Sequence, residues 1–95
     1  MSDTRLNIAK IGIDAEVFKA SPFGKYLLEQ AEREIKEETA ILIDLDPTNI
    51  KANTESRNRI HVARMFITWL EQAINSGHLA ADLIRNEDGN DSPDY

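Results

Sequence analysis

The chain has 95 residues and no cysteine. Disulfides, thiolate zinc sites and cysteine nucleophiles are therefore excluded, and nothing demands an oxidising compartment. No apolar run approaches the ~20 residues that a membrane-spanning helix needs. The opening MSDTRLNIAK has no signal-peptide h-region, so the expected location is the cytoplasm. Positive charge is in deficit: 11 Lys and Arg face 17 Asp and Glu, a net charge of -6. Long-range repulsion then argues against nucleic acid and anionic membrane as partners. Histidine occurs twice, at His61 and His78, and neither stands in a metal-ligand spacing such as H-E-x-x-H. A carboxylate metal site in a helical bundle needs a Glu-x-x-His motif, and none occurs. With no catalytic, metal or phosphate-binding motif, the expectation is a non-enzyme without a cofactor.

What is present is globular in composition, 41% hydrophobic and 29% charged, and the length suits one domain. In residues 1–20, Leu6, Ile8, Ile11 and Ile13 alternate loosely. No second strand candidate exists to pair with them, so this segment is expected to be an N-terminal arm, with Asp14 capping a short helical turn over 15–19.

A long helix is expected from Ser21. Serine is a good N-cap, and Pro22 suits the first helical position, where its missing N–H is not needed. Gly24 lies inside this helix either because another backbone approaches it closely or because a first turn tolerates it. Leu27, Ala31, Ile35, Thr39 and Leu42 recur at helical spacing, widened by Phe23, Leu28 and Ile43. Glu29, Glu32, Arg33, Lys36 and Glu37 form the opposite face, and its i,i+4 pairs fit a solvated surface.

Pro47 ends that helix, because proline disfavours helical geometry at Asp46 and cannot sit in a helix interior. Asp46 is then free to cap the next helix. Asp44 and Asp46 do not make a calcium loop, since the loop glycine and spacing are missing. The second long helix begins near Pro47 or as late as Asn53 or Thr54. Ile60, Ala63, Ile67, Leu70 and Ile74 make a heptad seam, and Val62, Phe66, Trp69 and Ala73 a second stripe beside it. Asn75, Ser76 and Gly77 are expected to end or kink this helix, with His78 capping the junction. Leu79, Ala80, Leu83 and Ile84 form a short last helix, and residues 88–95 an acidic disordered tail. The expected fold is all-α: an N-terminal arm at 1–20, then an antiparallel helical hairpin with a short C-terminal helix at 21–87.

A two-helix hairpin covers only a narrow strip of each helix, and the second helix is apolar over about twice that width. The surplus points to a homo-oligomeric helical bundle. Phe23, Leu27, Val62, Phe66, Trp69 and Ala73 are the candidate interface, with Trp69 as anchor because tryptophan is enriched at interface hot spots. Residues 29–38 carry a balance of -3 and residues 51–64 one of +3, which favours antiparallel pairing. Two further surfaces are candidates. Glu29, Glu32 and Glu37 could offer an acidic face to a basic host protein, in the manner of an inhibitor. Arg57, Arg59 and Arg64, with Lys51 and His61, are the only basic cluster and the only phosphate-contact candidates for a nucleic-acid accessory role.

The words SPFGKYLLEQAE, DP and FITWLEQAINSGHLAADL carry a resemblance. Ser21, Pro22, Gly24 and Tyr26 open the first helix, Asp46 and Pro47 break it, and Trp69, Leu70, Gly77 and Ala80 come after. This order, over residues 21 to 84, resembles small uncharacterised proteins of tailed bacteriophages, encoded near head and DNA-packaging genes. The resemblance implies a viral origin, a setting in host cytoplasm or virion, and another phage or host protein as a possible partner. It implies no catalytic site. The role it leads to is an accessory in virion assembly or an adaptor.

Overall fold

The computed structural model describes residues 3–90, with side chains to Glu87. Three helices make up 93% of these residues: α1 (Asp3–Ala20), α2 (Pro22–Asp44) and α3 (Ile50–Asn90). No strand occurs among the described residues. Contacts divide the chain into two compact units. A central unit spans Ser21–Trp69 and holds α2 with the first part of α3; a terminal unit joins α1 to the part of α3 from Leu70 onward.

The start of α2 is set by its first residues. Ser21 is extended, and its Oγ accepts the Gly24 N–H at 3.0 Å, with Pro22 at the first helical position. Leu45 ends the helix in an extended conformation. Pro47 forbids continuation, and a four-residue turn forms in which Asn49 N–H donates to the Asp46 carbonyl at 3.0 Å. Asp46 Oδ1 accepts from both the Thr48 N–H (2.9 Å) and hydroxyl (2.8 Å). These bonds favour the ionised form and hold the carboxyl below its ordinary value of 3.8. Asp46 thus braces the turn and does not cap α3. The cap is Asn49, whose Oδ1 accepts the Ala52 N–H at 3.2 Å. Asn53, one of the candidate starts, lies inside α3 and ties back to the Asp46 carbonyl through Nδ2 at 2.9 Å.

In the central unit the buried positions of α2 are Gly24, Ala31 and Glu38, seven residues apart. Those of α3 are Ser56, Ile60 and Ala63. Contacts run in opposite chain directions: Glu38 meets Ser56, while Ala31 and Ala63 line the same groove. The buried set mixes small side chains with Ile60 and the charged Glu38.

The terminal unit differs from the expectation. Residues 3–20 are not an arm but the 18-residue helix α1, and Asp14 lies inside it. The buried residues are Ala9 and Gly12, not the larger Leu6, Ile11 and Ile13, which are exposed. A Cβ added to Gly12 would stand 2.6 Å from Gly77 Cα, and one added to Gly77 equally close to Gly12 Cα. Only glycine on both sides permits this backbone contact. Gly77 therefore marks a helix crossing rather than a helix end. α3 runs unbroken through it, and the expected separate C-terminal helix is part of α3. Residues 88–90 of the expected tail are also helical in backbone, and 91–95 lie outside the described residues.

Candidate interaction surface

Val62, Phe66 and Trp69 lie on one face of α3, since seven residues bring a helix nearly back to its starting direction. Val62 is 68% exposed and Trp69 61% exposed, with Phe66 partly buried between them. On α2, Phe23 is 62% exposed and Leu27 partly buried. Phe23 stacks on Tyr26, their ring centroids 6.5 Å apart and planes 10° from parallel. Beside this stripe, within the central unit, a groove of about 470 Å³ runs between α2 and α3. Gln30, Ala31 and Glu34 line one wall; Asn58, Arg59, Val62 and Ala63 line the other. Ala73, the sixth candidate, belongs to the terminal unit. Its carbonyl oxygen lies 3.1 Å from a Cβ placed on Gly12, so its backbone faces α1.

The candidate charges divide in the same way. Glu29, Glu32 and Glu37 stand exposed on α2. Glu38 does not share that face. It is 7% exposed, and Ser56, 2% exposed, approaches it from α3. The Ser56 hydroxyl lies 2.9 Å from Glu38 Oε2 and 3.1 Å from the Glu38 carbonyl oxygen, and its one proton serves either acceptor. Arg59 donates to Glu38 Oε1 at 3.1 Å. The carboxylate is thus buried with partners on both oxygens, which is the condition for burying a charge at tolerable cost.

Arg59 is thereby paired with Glu38, while its side chain stays half exposed. Arg57 and Arg64 are exposed, and with His61, Leu42, Ile60 and Thr39 they line a second groove of about 360 Å³. The interhelix charge balance read from the sequence is realised among the described residues by the single pair Arg59–Glu38. His78 is no cap: it lies mid-helix and pairs with Glu16 of α1. Arg5 pairs with Glu87 across the same two helices.

Two features are not among the candidates that the sequence suggests. Glu38 carries a signal, because it continues the seven-residue spacing of Gly24 and Ala31. Gly12 and Gly77 carry none that hydropathy registers. No three acidic or histidine side chains gather at metal-binding geometry among the described residues, and no helix is long and apolar enough to cross a membrane. No protein family, curated protein or solved structure matches the chain.

Proposed function

We propose that the chain is a non-enzymatic helical interaction protein that associates with itself, the hairpin of α2 and α3 closing into a bundle against a second copy. The observation that supports this is an inverted use of apolar residues. Among the described residues the buried apolar ones are Ala9, Ala31, Ala63, Ala80 and Ile60, four alanines and one isoleucine. Phe23, Val62 and Trp69 stay largely in water. Each of these three forgoes on the order of 1–2 kcal/mol of burial while it stays uncovered. The resemblance over residues 21 to 84 is the ground for setting this role in virion assembly, as an accessory or adaptor, within the host cytoplasm or the particle.

Light scattering on a sizing column across a concentration series tests the reading. A dimer or larger species is expected, and Trp69→Asp is expected to abolish it or to prevent folding. A monomer at every concentration, or unchanged mass and melting in that variant, would overturn it.

One observation favours a second reading. Glu29, Glu32 and Glu37 are exposed and have no ion-pair partner among the described residues. Such a face suits an inhibitor that occupies a basic site on a host protein, and its binding would weaken as salt rises. Pull-downs from host extract that return only the chain itself count against it.

A further inference from the structure

The self-association proposed above leaves open how two copies meet. From the central unit we infer that the contact is reciprocal: Trp69 of each copy enters the groove of the other, between Gln30 and Ala31 on α2 and Val62 and Ala63 on α3. The inference rests on the self-association reading and makes it specific.

Three observations support it. The first is placement. Val62 lines the groove, and Trp69 projects from the same face of the same helix, about 10 Å further along at 1.5 Å per residue. A donor and an acceptor site separated along one helix face are both satisfied at once by a twofold axis midway between them, near Phe66. A foreign partner would have to match each separately. Self-complementarity of this kind is the property of an isologous interface.

The second is charge. A chain with a net charge of -6 resists meeting its own copy unless the contact avoids acidic groups. Val62, Met65, Phe66 and Trp69 form an uncharged stretch, and the groove adds one acid, Glu34, and one base, Arg59. Arg64 lines the other groove, with Arg57 and His61.

The third is area. Phe23, Val62 and Trp69 together expose on the order of 400 Å². That is about half of the roughly 800 Å² per partner that a specific interface buries. Leu27 and Phe66, both partly exposed, and the groove walls enlarge this surface. The groove of about 470 Å³ is open to solvent, so an indole ring would lie along it and be covered by both copies.

The test uses the full chain, whose only tryptophan is Trp69. Trp69→Ala removes the side chain that docks and leaves the groove. Val62→Glu spoils the groove and leaves the tryptophan. Each variant is first checked for wild-type helicity, with Val62→Ser replacing any Val62→Glu protein that fails it. Each is expected to weaken dimerisation at least tenfold, with tryptophan emission in the groove variant shifted to the red and more open to quenching. An equimolar mixture is expected to dimerise more strongly than either variant alone, because one intact groove meets one intact tryptophan. If the wild type dimerises but the mixture gains nothing, or the groove variant keeps its mass and emission, reciprocal docking is wrong and self-association uses another surface. A wild type that is monomeric throughout overturns both readings.

Discussion

The two units solve the same problem, holding two helices together, with opposite materials. The terminal unit brings backbones into contact. Gly12 and Gly77 touch directly, Ala9 and Ala80 lie buried, and the pairs Arg5–Glu87 and Glu16–His78 flank the crossing at the surface. The central unit keeps side chains between its helices and encloses a charged group, Glu38, with Ser56 and Arg59 to satisfy it. In the first, specificity comes from the absence of atoms; in the second, from a polar arrangement that fits one pairing. Among the described residues neither buries a large aromatic side chain, and Phe23, Val62 and Trp69 are exposed in the central unit.

The largest effect of a single substitution is expected at the crossing. Gly77→Leu puts a side chain where another backbone already lies, and the helices must separate. The expected loss is about 3 kcal/mol or more, the upper end for overpacking. Denaturant unfolding and amide exchange along α1 check it: α1 is expected to lose protection while α2 keeps it. Equal protection in both helices would show that the crossing is not what holds α1.

A smaller effect is expected in the central unit. Ser56→Ala removes a buried donor and leaves Glu38 with Arg59 alone, at a cost of about 1–3 kcal/mol. The melting temperature should fall, and α1 exchange should be unaffected. A melting temperature equal to that of the wild type would mean that the hydroxyl is dispensable and the cluster is held by Arg59.

The smallest effect is expected at the turn, which belongs to the central unit only. The Asp46 carboxyl has a folded-state pKa below the ordinary 3.8 because Thr48 donates to it twice. Its contribution is fully present above that ordinary value and is lost as pH falls through the lower folded-state value. Asp46→Asn should therefore flatten part of the stability profile below pH 3.8 and leave the slope above it unchanged. Identical acid profiles for the two proteins would remove Asp46 from the account.

The central unit is legible in the sequence to a degree the terminal unit is not. The Ser21–Pro22 start and the break at Pro47 are local and appear in the structure where the residues place them. Ile60 and Ala63 of the α3 seam are buried, whereas α2 buries Gly24, Ala31 and Glu38 and leaves Phe23, Thr39 and Ile43 exposed. The start of α3 is ambiguous in sequence because Asp46, Asn49, Asn53 and Thr54 are all capping types within a few residues. Which of them caps depends on turn geometry. α1 is hidden because hydropathy weighs large residues. Leu6, Ile8, Ile11 and Ile13 alternate like an extended segment, while Ala9 and Gly12 make the contact and register little. Gly77 looks like a helix end for a related reason: glycine breaks helices alone in water, but in a packed pair it lets a neighbour approach.

That residues 21–84 form helices, that Pro47 interrupts them and that one stripe of α3 is apolar can all be read from the residues alone. These rest on propensity, capping and spacing, which act over a few residues. That Glu38 turns inward, that Gly12 meets Gly77 and that Val62 and Trp69 stay exposed emerges only once the helices pack. Each depends on which residues distant in sequence come to face one another. A helix shows its own period in its sequence but not the identity of its neighbour.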